Sequence, residues 1–475
     1  MPALEKAGFF FDSGRAARSL SVVEKSKPFS PCVRKKAENR QISLCKQHKI
    51  VYNVHGIHFE QSEVLPMTDF VNTWNSESFL TYPVGPLGLI SMPGTEDLAE
   101  KVNRWLIRWR EHTEEAINDE YESDMRTTPG VLRQDFLVRT SLPRFGNGEG
   151  KGMIKDSVRG YDMYILCDVG AYNCTYRMYG QEVPMGPDEH FMDLKRIIAA
   201  MAGKAKRVNV IMPMLYEGRQ HRRSSRESLD CAMMLQDLES MGVSNIITFD
   251  AHDPRVQNAI PQCGFESVMP SYQIFKALLR KDKTLRIDKD HLMIVSPDEG
   301  ALDRNIFYAS VLGLELGLFY KRRDYTQIVN GRNPIVAHEY LGNSVEGKDV
   351  FVADDIISSG ESVIDLAREL KKRKANRIFA AATFALFTNG VEEYNKAVRD
   401  GVIDRVISTN LTYRRPELRE APWFIEADMS KYISYIIATL NHNRSLSRLL
   451  NPYDRIHRLM DQYNREQMES GLRLV

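Results

Sequence analysis

The sequence predicts an α/β protein in two halves, each a parallel sheet flanked by helices. Short apolar runs recur along the chain, at Leu87–Ser91, Asp162–Cys167, Val208–Met212, Asn245–Phe249, Leu292–Ser296, Leu316–Tyr320, Val350–Ala353, Ile378–Phe384 and Val406–Asn410. Such runs suit strands buried on both faces. Many of them end in polar or charged residues, at the edge where α/β sheets hold ligands. Between them, apolar residues return at helical spacing, as in Val363, Ile364, Leu366, Ala367 and Leu370. No fixed short repeat is present.

Composition bounds the reading. The chain has 475 residues, 43% hydrophobic and 27% charged, which suits a globular protein with a sizeable core. A formal net charge of +1 gives no bulk electrostatic case for nucleic acid or a membrane. The six cysteines, at 32, 45, 167, 174, 231 and 263, form no C-x-x-C pair, so neither a zinc site nor a redox pair is indicated. They read as reduced thiols of a cytoplasmic protein. No apolar run spans a bilayer, no signal peptide is visible and no Walker loop occurs.

In chain order, residues 1–80 read as a poorly ordered extension, polar and basic from Lys25 to Arg40, with Glu5, Asp12, Glu24 and Glu38 arguing against a transit peptide. A first domain is expected over 81–265. Its first strand is followed by a helix that Thr95 caps and that runs to about Trp109. The acidic stretch from Glu111 to Asp124 reads as a solvated insertion. The glycine-rich run Leu142–Gly152 reads on spacing as a flexible hairpin, because no clear helix follows it. After the Val208–Met212 strand comes a cluster of cations, Arg219, His221, Arg222, Arg223 and Arg226, ahead of a helix through Leu229 and Leu238. A cationic run is usually a solvated face, but this one follows a strand end and so favours polyphosphate. His252, near the next strand end, reads by itself as structural, as a lone histidine usually does.

A second domain is expected over 266–425. Asp298 ends one strand, and Lys321, Arg322 and Arg323 end another. The polar stretch from Lys321 to Gly347 lacks periodicity and reads as a mobile loop or arm. Residues 426–475 read as a helical tail, broken at Pro452, that packs on the core or on a partner.

The most informative stretch runs from Val350 to Ser362: four apolar residues, the pair Asp354 and Asp355, then Ser358-Ser359-Gly360-Glu361-Ser362 and a helix. A helix N-terminus has free N–H groups and the positive end of its dipole, so it suits a phosphate. Ser359, Ser362 and the Gly360 N–H are placed to wrap one, and the acids to accept sugar hydroxyls. The plainer alternative has Ser362 capping the helix and the acids ending the strand. Two acids directly after an apolar strand favour a sugar-phosphate cradle.

This stretch resembles the phosphoribosyl-binding fingerprint of the type I phosphoribosyltransferase fold. From Gly85 to about Arg444 the chain resembles ribose-phosphate pyrophosphokinase, also called phosphoribosyl pyrophosphate (PRPP) synthetase. The resemblance implies two tandem phosphoribosyltransferase-like domains. It also implies diphosphoryl transfer from ATP to ribose 5-phosphate, giving PRPP and AMP, with Mg²⁺ as cofactor. Phe145, Asn147 and Glu149 match the family hairpin that contacts the adenine of ATP bound mainly by a neighbouring subunit, implying a homo-oligomer with a shared ATP site. Arg219 and Gln220 match an ATP-binding pair. His252 matches a residue that holds ATP and magnesium, and Asp298 one that places the metal and ribose 5-phosphate. Lys321 and Arg323 match the catalytic Lys-x-Arg. Asp354, Asp355, Ser358, Ser359, Gly360 and Ser362 match the ribose 5-phosphate site. Ser157-Val-Arg-Gly160 also matches, at an arginine associated with phosphate regulation.

There are departures. Ser358 stands where the family usually carries aspartate and Glu361 where it carries glycine. His221 and Ser224 replace acids, and Pro254 and Ser267 depart at the regulatory site. Two alternatives stay open: a non-catalytic synthetase-like regulatory subunit, and a phosphoribosyltransferase that consumes PRPP.

Overall fold

The computed structural model describes residues 83–117, 135–323 and 335–469, with backbone alone at 110–117, 321–323 and 335–338. The expected extension over 1–80 lies outside the described residues.

Alternating apolar residues build the first sheet. Strand β1 (Leu87–Ser91) leads to helix α1 (Glu96–Ile117) and a short hairpin of β2 (Thr140–Ser141) and β3 (Met153–Ile154). β4 (Asp162–Leu166) follows, then a second hairpin, β5 (Thr175–Met178) with β6 (Gln181–Pro184). α2 (Pro187–Met201), β7 (Arg207–Ile211), α3 (Asp230–Ser240), β8 (Asn245–Phe249) and β9 (Gly264–Val268) complete the unit. The strands order β1-β4-β7-β8-β9, all parallel. Met163 and Ile165 of β4 face a core with α2 and α3, while Tyr164 and Leu166 face α1.

The second sheet is built on α4 (Ser271–Lys281), β10 (Leu292–Ser296), α5 (Leu302–Leu312), β11 (Glu315–Arg323) and β12 (Ile335–Leu341). It continues through β13 (Asp349–Ile357), α6 (Glu361–Lys372), β14 (Ile378–Ala385), α7 (Glu392–Arg399), β15 (Arg405–Thr409), α8 (Pro416–Glu420) and β16 (Phe424–Ala427). Its order is β12-β11-β10-β13-β14-β15-β16, parallel except for the β11–β12 pair. The chain leaves β10 toward β11 on one side and resumes at β13 on the other. The crevice between β10 and β13 is therefore the topological switch point, where such sheets bind ligands.

The tail, α9 (Ser430–Asn441), α10 (Ser447–Leu450) and α11 (Tyr453–Glu469), packs on the core in two places. Ile433, Ile436 and Ile437 of α9 join Leu98, Val102 and Leu106 of α1 over the first sheet. Tyr463 of α11 joins Phe275 and Leu278 of α4 on the second. Phe384 of β14 lies in the same core as Ile247 and Phe249 of β8, so the two sheets meet. No described helix is long and apolar enough to cross a membrane.

Three local expectations are corrected. Asp354 and Asp355 do not follow their strand; β13 runs through them to Ile357, because Ile356 and Ile357 continue the ladder opposite Phe384 and Ala385. α1 runs past Trp109 and takes in Glu111–Ile117, whose glutamates and alanine are good helix formers. The polar stretch after Lys321 contains a strand, β12, which completes an antiparallel hairpin with β11; the 324–334 segment lies outside the described residues. Thr95 stands just before α1, as expected of its N-cap, with its carbonyl accepting the Ala99 N–H at 2.8 Å, while its hydroxyl donates to the Met92 carbonyl at 2.8 Å.

Candidate active site

β13 has two neighbours for only part of its length. β10 pairs with it from Asp349 to Phe351, whereas β14 follows it from Val350 to Ile357. The edge beyond Phe351 thus opens on the switch crevice. Asn305 fills part of it: its Nδ2 donates to the Ala353 carbonyl at 2.8 Å, and its Oδ1 accepts the Ala353 N–H at 3.1 Å. One buried amide satisfies the strand edge that a missing neighbour would leave bare.

Asp355 reaches out of this edge to the first domain. Its Oδ2 lies 2.8 Å from His252 Nδ1. Burial opposes charge on Asp355, but the hydrogen bond from His252 and the nearby Arg304 outweigh it and hold the carboxyl below its ordinary range. His252 is raised in turn, first by that hydrogen bond. Asp354 goes the other way, raised by burial and then by its charged neighbour Asp355. Two adjacent carboxyls thus hold different protonation tendencies. Asp354 is the more open, its side chain 30% exposed against 11% for Asp355. It is the freer of the two to accept a ligand's hydroxyls.

A second link runs beside the first. Asp250 follows β8 with φ of 46°, a left-handed conformation that strains a residue with a side chain. Arg304 of α5 donates to it with Nε and Nη2, Thr383 donates its hydroxyl, and Arg304 Nη1 stands 3.7 Å from Asp354. Burial works against the Arg304 charge, yet the Asp250 carboxylate holds the guanidinium above its ordinary value. Sequence reasoning missed Asp250, Arg304, Asn305 and Thr383. The one local signal was Asp250, two residues before His252 at a strand end.

The loop after β13 turns tightly into α6. Gly360 takes φ of 88° and stands at the N-cap of α6, so Ser362 is not the cap. Its carbonyl accepts from Tyr394 Oη at 3.1 Å, and a Cβ there would lie 2.3 Å from the Tyr394 ring. The hydroxyls of Ser359 and Ser362 meet no partner among the described residues; of the first-turn N–H groups, those of Glu361 and Ser362 have no acceptor there, whereas that of Val363 donates to the Gly360 carbonyl at 3.1 Å. Ser358 accepts the Thr388 N–H through its carbonyl. Glu361 is exposed, with Oε1 3.4 Å from Asn389 Nδ2. Asp298 lies across the crevice after β10, its Oδ1 accepting the Ala301 N–H at 3.2 Å.

The remaining expected residues are placed separately. Arg219, Arg222 and Arg223 are exposed and make no ion pair among the described residues, while Gln220 Nε2 donates to the Ser228 carbonyl at 2.9 Å. Phe145, Asn147 and Glu149 sit on a hairpin tip closed by the Phe145 N–H to Glu149 carbonyl bond at 2.8 Å. Asn147 Nδ2 donates to Glu149 Oε2, Phe145 is 57% exposed, and no hydrogen bond or ion pair joins this tip to His252 or the β13 loop. Lys321 and Arg323 lie in β11, paired with His338 and Ile335. Their side chains are outside the described residues.

Comparison with known proteins bears on both sheets. A model of the N-terminal domain of ribose phosphate pyrophosphokinase matches residues 87–242, and one of the phosphoribosyl transferase domain matches residues 269–409. The ribose-phosphate pyrophosphokinase of Vibrio parahaemolyticus is 27% identical over 66% of this chain and 92% of its own length. That of Vibrio cholerae is 28% identical over 66% and 92%, and that of Shewanella oneidensis 27% over 65% and 89%. The crystal structure of phosphoribosylpyrophosphate synthetase from Mycobacterium smegmatis superposes with a TM-score of 0.56, covering 75% of this chain and 99% of that one. At 19% identity it speaks to the fold alone.

Proposed function

The chain belongs to the ribose-phosphate pyrophosphokinase family, and we propose that it transfers the diphosphoryl group of ATP to ribose 5-phosphate, giving PRPP and AMP. The observation that carries this reading is the His252–Asp355 hydrogen bond of 2.8 Å. It joins a strand end of the first domain, beside the Arg219 cluster, to β13 of the second, just ahead of the loop assigned to the sugar phosphate. That contact supports a nucleotide site facing a sugar-phosphate site.

In this reading the N–H groups of residues 359–362, with the Ser359 and Ser362 hydroxyls, hold the 5-phosphate. Asp354 and Asp355 accept the ribose hydroxyls and orient the anomeric oxygen. That oxygen attacks the β-phosphorus of ATP and its proton is released to solvent; the bond from the β-phosphorus to the α,β-bridging oxygen breaks, and AMP leaves with that oxygen. Arg219, Lys321 and Arg323 neutralise charge on the transferring group, so catalysis rests on positioning and electrostatics. Phe145, Asn147 and Glu149 are assigned to the adenine of ATP on a neighbouring subunit of a homo-oligomer; the exposed Phe145 supports this. The cytoplasm is the assigned compartment.

The donor set fits Mg²⁺. His252 keeps Nε2 free when Nδ1 bonds Asp355, and Asp298 offers a carboxylate at the adjoining strand end. Among the described residues no three His, Cys, Asp or Glu side chains converge as a complete cage. That suits an ion held chiefly by substrate oxygens. When bound, Mg²⁺ supplies charge neutralisation at the phosphate oxygens.

The test is direct. Purified protein is mixed with ATP, Mg²⁺, ribose 5-phosphate and inorganic phosphate and followed by phosphorus NMR. AMP and PRPP formed in equal amounts are expected. ATP left intact by folded protein refutes the proposal.

A further inference from the structure

His221 stands in the cationic loop where relatives in this family usually carry an acid, and the fold brings its ring beside that of His252. The two centroids are 5.3 Å apart, with 58° between the ring planes. Each imidazole has a carboxylate near one nitrogen. Asp355 Oδ2 is 2.8 Å from His252 Nδ1, and Asp253 Oδ2 is 3.6 Å from His221 Nε2. Asp253 is fixed in turn by Arg255, which donates to it from Nε and Nη2. His221 Nδ1 is buried and has no hydrogen-bond partner among the described residues. A buried ring nitrogen without a partner is costly unless a ligand completes it.

A carboxylate behind each imidazole is the arrangement that orients metal-bound histidines. The spacing agrees. With metal–nitrogen bonds of about 2.0–2.1 Å, a ring centroid lies about 3.2 Å from the ion, and two rings on one tetrahedral ion stand about 5.2 Å apart. The His221 ring adjoins a cleft of about 380 Å³ that Arg222, Asp253, Arg255 and Val256 also line. We propose that His221 and His252 form a two-imidazole seat for a first-row transition-metal ion such as Co²⁺ or Zn²⁺, its other positions being filled by phosphate oxygens of the nucleotide. The proposal rests on the reading of His252 as a residue of the metal–nucleotide site, and assigns His221 the role of setting metal preference. Mg²⁺ favours oxygen ligands, whereas imidazole favours the later transition metals.

The test needs no turnover. The metal-free full-length protein is titrated with Co²⁺, with and without α,β-methylene-ATP, and followed by visible ligand-field absorption and calorimetry. Wild type should bind Co²⁺ more tightly than Mg²⁺ and show the intensified absorption of a low-coordinate nitrogen-ligated ion. His221→Gln should lose about tenfold or more in Co²⁺ affinity, with that absorption, and less than about twofold in Mg²⁺ affinity. His221→Asp, which restores the family's acid, serves in the same way should His221→Gln misfold. Co²⁺ affinity and absorption unchanged in either folded variant overturn the proposal, as does folded wild type that ignores Co²⁺. The Mg²⁺-supported PRPP assay is read separately. PRPP formation with Co²⁺ binding indifferent to His221 leaves the function standing and removes this proposal. Co²⁺ seated through His221 in a protein that makes no PRPP does the reverse.

Discussion

Arg304 sets Nη2 2.7 Å and Nε 2.9 Å from the two carboxylate oxygens of Asp250, a buried fork that joins the second domain's switch-point helix to the end of β8. Both groups are largely removed from water, with side chains 11% and 4% exposed. Removing one partner leaves the other buried and uncompensated, which typically costs about 3–5 kcal/mol. Arg304→Ala should therefore lower the urea midpoint strongly. The double variant Arg304→Met, Asp250→Asn should recover much of that loss. A single variant as stable as wild type would show that the fork contributes nothing net.

The dyad beside it is tested on turnover. Asp355→Asn preserves size and one acceptor oxygen but removes the charge that holds the His252 ring. Loss of such an orienting carboxylate typically costs about 10–100-fold, so kcat/KM should fall in that range; the thermal midpoint should also fall, because the folded protein favours the Asp355 carboxylate that Asn lacks. A value within about twofold of wild type would take Asp355 out of the mechanism.

Gly360 answers to two demands at once, a φ of 88° and the Tyr394 ring 2.3 Å from where a Cβ would sit. Gly360→Ala strains the backbone by about 1–3 kcal/mol and pushes the loop off its anion-binding course. The KM for ribose 5-phosphate should rise about tenfold or more while that for ATP moves little. Equal rises in both would mean a general loss of structure rather than a damaged phosphate cradle.

Lys321 is assigned to charge that develops only in the transition state. Its replacement by alanine should lower kcat by about a hundredfold or more, the usual effect of deleting such a group. Circular dichroism and the denaturation midpoint should stay as in wild type. Near-normal turnover in Lys321→Ala would remove it from catalysis.

What was legible in the sequence followed from range. Leu292–Ser296 and Ile378–Ala385 are buried on both faces, so an apolar run marks them without help from their neighbours. β9 and β16 are edge strands whose half-buried Glu266, Ser267 and Glu426 interrupt the apolar run. The acids and serines of the β13 loop lie within one strand–turn–helix unit, so local spacing exposes them. Arg304 and Asp250 lie 54 positions apart, and the place of Asp250 at a strand end is the one local signal of either. Only the meeting of the two sheets turns an ordinary helical arginine and a strand-end aspartate into a pair. Likewise His221 reads as one more member of a charge cluster until the fold sets it against His252.

The same long range gives a prediction about pH. Asp168 is buried and accepts from the Thr412 hydroxyl at 2.9 Å, the Tyr413 N–H at 3.0 Å and the Gly170 N–H at 2.9 Å, bridging 244 positions to Thr412. Burial raises its pKa above the ordinary aspartate value of 3.8, and these hydrogen bonds offset that only in part. The folded protein therefore holds this proton more tightly than the unfolded chain does. By linkage, the contribution of Asp168 to stability is greatest below 3.8 and declines as pH rises through the folded value. Asp168→Asn keeps an acceptor oxygen at the site and has no such titration. The wild-type-minus-variant difference in unfolding free energy, from urea melts at stepped pH from acid to neutral, should therefore fall as pH rises. A difference that grows with pH would mean the three hydrogen bonds hold the carboxylate in its charged form, and the sign of the burial effect would have to be reversed.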